Sequence, residues 1–168
     1  MPREDIPRPE YPRPDFQRKE WINLNGTWEF CTDPQGTGIE KGFWHSSRQF
    51  PETILVPFPP ESRLSGIGNT DFMPSVWYRR TVSIPERWRG RRILLHFGAV
   101  DFHTTVWVNE KVLGTHTGGY TPFSFDITDA LRRGRNVITV NARDDTRTGR
   151  QPRGKQSDRY GSYQCLYT

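Results

Sequence analysis

Apolar and polar residues alternate with a period of two along several short stretches of the chain. The stretch "VWYRRTVSIP" puts Tyr78 and Val82 on one side and Trp77 and Thr81 on the other, and "PFSFDIT" alternates in the same way. Alternation of this kind predicts β-strands that bury one face. We predict further strands in the following stretches: "TWEFC", "ETILV", "RRILLHFGAV", "FHTTVWVNEKVLGTH" and "RNVITVNARD".

Turn signals separate these strands at short and regular intervals. Asn109 and Glu110 fall between two apolar runs, and asparagine tolerates the left-handed conformation of a tight hairpin turn. A single helical turn is predicted from Thr128, with Gly134 as its stop. Closely spaced strands with almost no helix predict an all-β fold, an antiparallel β-sandwich or barrel in one domain.

Two segments carry more specific expectations. Leucines precede His96 in "RRILLHFGAV", so this strand is predicted to be covered on both faces near Leu94, with His96 as a hydrogen-bonded core residue. In "LGTHTGGYTPFSFDIT" the two glycines allow a crossover between strands, and Tyr120 is expected to pack in the core. Stacking of Tyr120 on a sugar ring is the alternative.

Composition and the ends of the chain narrow the class of protein. The chain has 168 residues and a formal net charge of +5. No apolar run approaches the roughly 20 residues of a membrane helix, and the beginning lacks the apolar stretch of a secretory signal, so a cytoplasmic protein is expected. Cys31 and Cys165 lie far apart in the sequence and predict two separate thiols rather than a disulfide framework.

Residues 1–20 are predicted to form an extended, proline-rich N-terminal arm. Arg-Pro and Tyr-Pro dipeptides recur there, and each proline fixes its own backbone while restricting the preceding residue to extended geometry. We expect the arm to lie over its own protein. A ligand for a domain with an aromatic groove is the alternative.

No catalytic or cofactor-binding motif stands out. The four histidines lack metal-ligand spacing, and the chain has neither a nucleophile elbow nor a nucleotide-binding glycine loop. A glycosidase needs two facing carboxyl groups about 5 to 10 Å apart, whereas the acids here fall at turns and caps. From its residues, the chain is predicted to be non-catalytic, with no cofactor and no metal.

Several stretches occur in the order used by one known family. These are "RPEYPRPDFQRKEWINLNGTWEF", "VPFPPESRLSGI", "WYRRTVSIPERW", "LLHFGAVDFHTTVWVNEKVLGTHTGGYTPFSFDIT" and "QPRGKQ". Together they cover nearly the whole chain, which resembles the N-terminal part of family 2 glycoside hydrolases, the β-galactosidases, β-glucuronidases and their relatives. The resemblance implies a jelly-roll sandwich of the galactose-binding-domain-like type, called the sugar-binding domain, over residues 21–168.

The resemblance also implies that catalysis belongs to a different domain of a longer polypeptide. The catalytic acid and nucleophile would be glutamates of a TIM barrel further along the chain, so residues 1–168 alone would be inactive. The domain would pack on that barrel and lend loops to the rim of its sugar pocket. The partners implied are therefore a β-glycoside carbohydrate and the barrel of the same polypeptide.

Candidate sugar-contacting residues follow from the same resemblance. In chain order they are Asn69, Asp71, Arg153, Lys155, Gln156 and Gln164. The first two lie in the loop "GNTDF" and the next three in "RGKQ". Family members use a polar residue just before a closing strand, where Leu166 stands here, and Gln164 is its closest polar neighbour. For any one of these residues, loop solvation or an interdomain salt bridge is the favoured alternative.

The chain stops before the closing strand of that family. We therefore expect the sandwich to lack its final strand, which would leave unpaired edge groups. A frayed tail after about Asp145, or pairing with a neighbouring chain, is the predicted consequence.

Two other functions remain open from the sequence. A free-standing carbohydrate-binding module would need a concave, aromatic-lined face and a complete sandwich. An arginine-rich nucleic-acid binder would need its arginines on one face with stacking aromatics, but the arginines are scattered along the chain. We expect neither a nucleic acid nor a membrane as partner, and a homo-oligomer is left open.

Overall fold

The computed structural model describes residues 6–151. Its regular structure consists of β-strands joined by loops and short 3-10 turns. The strands are β1 (Gly26–Thr32), β2 (Glu52–Val56), β3 (Ser75–Ser83), β4 (Leu94–Phe97), β5 (His103–Val108), β6 (Lys111–Thr117), β7 (Phe123–Asp126) and β8 (Arg135–Arg143). The 3-10 turns are Pro14–Phe16, Arg63–Ser65, Glu86–Trp88 and Thr128–Ala130. Within these residues, no helix has the length and apolar character that crossing a bilayer requires.

The strands form two antiparallel sheets. The large sheet has six strands in the order β2-β1-β3-β8-β5-β6, and the small sheet pairs β4 with β7. At the centre of the large sheet, β3 and β8 stay in continuous register from Ser75 opposite Arg143 to Ser83 opposite Arg135. Buried side chains from both sheets form one cluster, so the predicted antiparallel β-sandwich is confirmed.

The main core lies between the two sheets. Phe30 of β1, Val106 of β5 and Ile138 of β8 are at most 1% exposed, and Leu95 of the small sheet belongs to the same cluster. The ring of Phe30 also meets Tyr78 edge-on, with 5.2 Å between ring centroids. Because burying a side chain of this size contributes about 1.5–3 kcal/mol, these alternating positions supply most of the sandwich's stability.

A second, smaller core lies on the other face of the large sheet. Trp77 and Trp107 stack there with 5.4 Å between ring centroids, and Phe43 packs against Trp77. Phe43 belongs to residues 33–50, here called the covering segment, which runs from the end of β1 towards β2. The alternation predicted for β3 is therefore right, but its outward residues Trp77 and Arg79 are buried as well, whereas Thr81 and Ser83 on the same face are exposed.

Arg79 attaches the covering segment to the sheet. This side chain is 3% exposed, and its guanidinium donates hydrogen bonds to the backbone carbonyls of Phe43, His45 and Arg48. The guanidinium also lies 4.1 Å from the ring centroid of Phe50. Burial lowers the pKa of Arg79, and the carbonyl dipoles around it compensate for the lost hydration.

Asp33 fixes the beginning of the covering segment. Its buried carboxylate accepts hydrogen bonds from the backbone N–H of Gly38 at 2.8 Å and from Trp77 Nε1 at 3.2 Å. A β-carbon on Gly38 would lie 2.5 Å from Trp77 Nε1. Only glycine fits here, because any larger residue would separate the carboxylate from the indole.

Two turns behave nearly as the sequence predicts. Asn109 and Glu110 connect β5 to β6 with φ values of 49° and 70°, the left-handed conformation expected for this hairpin. The helical turn that begins at Thr128 is present, but it is a 3-10 turn that ends at Ala130. The backbone is already extended at Leu131, so Gly134 is not its stop.

Three predictions about buried residues are wrong. Leu94 is 39% exposed and His96 is exposed, because among the described strands β4 pairs with β7 alone and Leu95, between them in sequence, faces the main core. His96 instead forms a hydrogen bond of 2.5 Å with Ser124 Oγ across the strand pair. Tyr120 is 73% exposed, since it lies in the loop between β6 and β7 rather than within the core layer.

Residues before β1 contact the sandwich through specific polar groups. Asn25 Nδ2 donates a hydrogen bond to the carbonyl of Pro7 at 3.0 Å. The carboxylate of Glu20 accepts hydrogen bonds from Arg87 Nε at 3.0 Å and from the indole of Trp88. These contacts agree with an arm that lies over its own protein, and the division of the chain at residue 20 stays a prediction.

Candidate functional site

Four loops meet at one end of the sandwich, here called the loop end. They comprise residues 69–74, 98–102, 118–122 and 144–151. The antiparallel register brings them together, because β8 ends at Arg143 opposite both Ser75, where β3 begins, and His103, where β5 begins. Loops that are far apart in sequence therefore share one surface.

Backbone hydrogen bonds hold these loops in place. The N–H of Asp144 donates to the carbonyl of Pro74 at 3.0 Å, and the N–H of Gly118 donates to the carbonyl of Phe102 at 2.8 Å. The guanidinium of Arg147 lies 4.1 Å from the ring centroid of Phe72. Each loop thus contacts a neighbour, so the loop end presents a defined surface rather than four independent loops.

The structure places Asn69 and Asp71 in one turn of the loop end. Asn69 Oδ1 accepts a hydrogen bond from the N–H of Asp71 at 2.9 Å, while Asn69 Nδ2 lies 3.6 Å from Met73 Sδ. Asn69 is therefore engaged in shaping its own loop. Asp71 is exposed and is the better placed of the two to meet a ligand.

The other predicted site residues lie outside the described residues. They are Arg153, Lys155, Gln156 and Gln164. Most of the tail predicted to fray after Asp145 also lies there. These expectations stay predictions, and Asn69 and Asp71 are the two candidates with a described environment.

Asp101 supports the loop that carries Tyr120. A β-carbon on Gly119 would lie 2.4 Å from Asp101 Oδ1, so the carboxylate packs directly against the glycine backbone. Partial burial and, secondly, the nearby charge of Asp144 raise the pKa of Asp101 to about 6. The close approach explains why this loop needs glycine at position 119, next to the exposed ring of Tyr120.

Asp101→Asn is expected to remove one component of the pH dependence of stability. Because the folded-state pKa of Asp101 lies above its ordinary value, this group favours folding at low pH and loses that contribution as pH rises from about 4 through about 6. Variant and parent are compared by urea unfolding across this range. As pH rises through this range, the free energy of unfolding of the variant minus that of the parent should increase by about 1 kcal/mol, a value that allows for the partial exposure of Asp101.

Asp126→Asn provides a control of opposite sign. Hydrogen bonds from Thr128, joined by Arg92, lower the pKa of Asp126 to about 2, so its contribution is lost as pH falls. The stability difference for this variant should therefore decrease as pH rises from about 2 to 4. A flat or falling difference for Asp101→Asn between pH 4 and 7 would show that Asp101 is not perturbed as described.

Sequence patterns missed Asp101 and misassigned Tyr120. The sequence contains a sign that Tyr120 is exposed. Two glycines precede it and Thr-Pro follows it, and these small neighbours offer little for its ring to pack against. Asp101 carried no such signal, because its role depends on a contact with a loop 18 residues further along the chain.

The loop end offers groups that suit recognition of a polar ligand. Its exposed groups include the carboxylate of Asp71 and the ring of Tyr120, which offer hydrogen-bond acceptors and a flat apolar face. Across residues 6–151, no three His, Cys, Asp or Glu side chains are grouped so that they could hold a metal ion.

Known proteins with similar sequences and folds are β-glycosidases. The chain is 34% identical over 125 residues to a β-glucuronidase of Paenibacillus borealis, covering 73% of this chain and 21% of that protein. A β-galactosidase of Thermoanaerobacter pseudethanolicus is 42% identical over 66 residues, covering 38% of this chain and 9% of that enzyme. The chain thus spans about a fifth of the length of the β-glucuronidase.

The fold agrees with these sequence matches. The structure of Lactobacillus rhamnosus β-glucuronidase superposes with a TM-score of 0.65 and 30% identity, covering 73% of this chain and 21% of that one. A family model described as "Glycosyl hydrolases family 2, sugar binding domain" matches residues 67–144, which run from the loop before β3 to the end of β8. The chain therefore belongs to family 2 of the glycosyl hydrolases, as a sugar-binding domain of that family.

Proposed function

We propose that this chain serves as the non-catalytic N-terminal domain of a larger β-glycosidase, in which it packs on a catalytic barrel and shapes the rim of the sugar pocket. The observation that carries the proposal is its match to β-glucuronidases over 73% of its own length but 21% of theirs. The substrate of the whole protein would be a β-glucuronide or a β-galactoside, the classes named by its relatives. We propose a cytoplasmic location for it.

The carboxylates at the loop end support a non-catalytic role. Asp101 has the raised pKa of a general acid, but its carboxylate packs against the backbone of Gly119. Asp144 accepts a hydrogen bond from Gln151 Nε2, and Asp145 accepts one from Thr148 Oγ1 at 2.7 Å. These acids stabilise loops, and the pair of facing carboxyl groups that glycoside hydrolysis requires would come from the barrel.

Placement of the loop end at the pocket rim rests on exposure and chemistry. Asp71 and Tyr120 are exposed there, and sugars are bound by polar side chains together with aromatic faces. We propose that Asp71 and the sequence-predicted Arg153, Lys155, Gln156 and Gln164 contribute to this rim, with Asn69 shaping its loop.

The arginines argue against nucleic-acid binding as a second function. Arg79 is buried under the covering segment, and Arg80 donates to the carbonyls of Leu24 and Asn25. Other arginines pair with acids, as Arg92 does with Asp126 at 2.7 Å. Arg79, Arg80 and Arg92 are therefore not available to a continuous basic stripe of the kind that a phosphate backbone requires.

An activity assay on two polypeptides tests the proposal. Residues 1–168 alone and the product of the complete reading frame are compared on 4-nitrophenyl β-D-glucuronide and 4-nitrophenyl β-D-galactoside. We expect hydrolysis of one substrate by the longer product and none by residues 1–168. Turnover by residues 1–168 would refute the proposal. A longer product that binds sugar but hydrolyses neither substrate would also refute it and would indicate a carbohydrate-binding module.

A pair of substitutions in the longer product tests the rim assignment in the same assay. Asp71→Ala lies at the loop end, whereas Asp129→Ala changes an equally exposed aspartate near the opposite end of the sandwich. Loss of a substrate hydrogen bond costs about 0.5–1.5 kcal/mol, so kcat/KM should fall about 3- to 10-fold for Asp71→Ala alone. Equal effects of the two variants would remove Asp71 from the rim.

A further inference from the structure

Polar side chains form two neighbouring rows on the outer face of the large sheet. Val106 and Val108 of β5 pack in the main core, so His103 and Thr105 of the same strand face the other way. His103 lies opposite Thr117 of β6 and opposite Arg143 of β8. Thr105 lies opposite Thr115 and Asn141 in the second row.

A cleft of about 450 Å³ opens over these rows, here called the outer cleft. Its lining consists of Ile39 of the covering segment, residues 103–105 of β5, residues 115–117 of β6, Arg143, and Asp145, Arg150 and Gln151 of the last loop. This volume lies within the range of about 300–1,000 Å³ that is usual for small-molecule sites. The concave shape distinguishes this face from an ordinary solvated strand surface.

The described charges of the outer cleft favour an anion. Arg143 and Arg150 line the cleft, and within residues 6–151 neither guanidinium forms a hydrogen bond or salt bridge. The charge of Arg150 nevertheless acts on Asp145 and helps to lower the pKa of that carboxyl. Asp145 is the acidic residue among the lining side chains, and its carboxylate already accepts hydrogen bonds from Thr148 Oγ1 and from the N–H groups of residues 147 and 148. The guanidinium of Arg143 therefore remains for a ligand, and Arg150 balances the charge of Asp145.

The remaining lining groups match the hydroxyls of a sugar ring. The hydroxyls of Thr105 and Thr115 can each donate and accept hydrogen bonds, and these two threonines lie side by side at fixed strand positions. The hydroxyl of Thr117 is already paired with His103 Nδ1 at 3.0 Å. Ile39 is the apolar side chain among the lining residues, and the only rings there are imidazoles. A nucleobase or an apolar ligand would find little to stack or pack on.

We propose that the outer cleft binds a sugar that carries a carboxylate, such as a uronic acid residue. Arg143 binds the carboxylate, for which a guanidinium has the matching two-pronged geometry, and the threonines bind the ring hydroxyls. The site lies within this chain and involves no bond cleavage. It goes beyond the proposed role at the barrel, and either proposal can fail without the other.

Binding of monosaccharides to residues 1–168 tests the proposal, with chemical-shift changes in two-dimensional NMR spectra as the readout. The probes are D-glucuronic acid, D-glucose and sodium acetate, each titrated at constant ionic strength. We expect glucuronic acid to bind at least tenfold more tightly than either glucose or acetate. Resonances of β5, β6 and the end of β8 should shift.

A matched pair of arginine variants locates the site. Arg143→Gln removes the charge in the cleft, and Arg135→Gln makes the same change at the other end of β8, eight residues and about 26 Å away. Arg143→Gln should weaken glucuronic acid binding about tenfold or more and leave glucose binding unchanged. Arg135→Gln should alter neither.

Three results would overturn the proposal. If acetate bound as tightly as glucuronic acid, the cleft would be a simple carboxylate site. If glucose bound as tightly as glucuronic acid, the charge of Arg143 would have no role in binding. Equal effects of the two arginine variants would move the site elsewhere. If Arg143→Gln fails to fold, Thr115→Val is used instead. This variant should weaken binding of glucuronic acid and glucose but not binding of acetate. Unchanged binding of the two sugars would refute the site.

Discussion

Arg79→Met is expected to lower the free energy of unfolding by about 3–5 kcal/mol, the range measured when one member of a buried polar network is removed. Methionine fills similar space but donates no hydrogen bond. The carbonyls of Phe43, His45 and Arg48, which now accept from the guanidinium, would lose that donor at a cost of about 1–3 kcal/mol for each one left unsatisfied. The covering segment would lose its main attachment to the sheet.

Urea unfolding checks this expectation, with two further variants for comparison. Arg79→Lys keeps the charge but cannot reach three carbonyls with the same planar fork, so it should restore only part of the stability. Arg89→Met removes an arginine whose partner is the neighbouring Glu86 and whose side chain is 57% exposed, and it should change little. Equal stabilities of Arg79→Met and Arg89→Met would refute the role assigned to Arg79.

Phe30→Ala is expected to destabilise the sandwich by about 3–5 kcal/mol, the usual cost of truncating a buried aromatic side chain. Phe30 is 0% exposed and belongs to the cluster that joins both sheets. The substitution would leave a cavity beside Tyr78, whose ring now meets Phe30 edge-on. Neighbouring strands in continuous register have little freedom to collapse into that space.

The same substitution at Phe16 provides the matched control for Phe30→Ala. Phe16 is 83% exposed in a 3-10 turn before β1, so its truncation removes almost no buried surface. Urea midpoints should differ strongly between the two variants, with Phe16→Ala close to the parent protein. A small effect at Phe30 would mean that the main core tolerates cavities and that its packing is looser than the burial indicates.

The sandwich follows from the sequence because a strand that buries one face must alternate. Phe123 and Phe125 of β7 and Tyr78 and Val82 of β3 all contact the main core as their period predicts. Periodicity does not reveal what covers the opposite face. Trp77 and Arg79 are buried there by a segment that is distant in sequence, whereas Leu94 and His96 stay exposed on the small sheet within residues 6–151.

The loop end was predictable in part, and for a similar reason. The resemblance to family 2 glycoside hydrolases singled out Asn69 and Asp71, in a polar loop that contains glycine, as candidates. The meeting of four loops depends instead on the register of β8 against β3 and β5. Strand register also determines the contact between Asp101 and Gly119 and the rows of side chains in the outer cleft. Neither feature can be predicted from local composition.

The attachment made by Arg79 has a consequence for how the covering segment can vary. The guanidinium contacts carbonyl oxygens of Phe43, His45 and Arg48, and every amino acid supplies such an oxygen. Positions 45 and 48 can therefore exchange side chains without loss of these hydrogen bonds, as long as the backbone keeps its path. These three hydrogen bonds depend on one side chain, Arg79 of β3, while positions 45 and 48 of the segment that it holds remain free to acquire new surface chemistry.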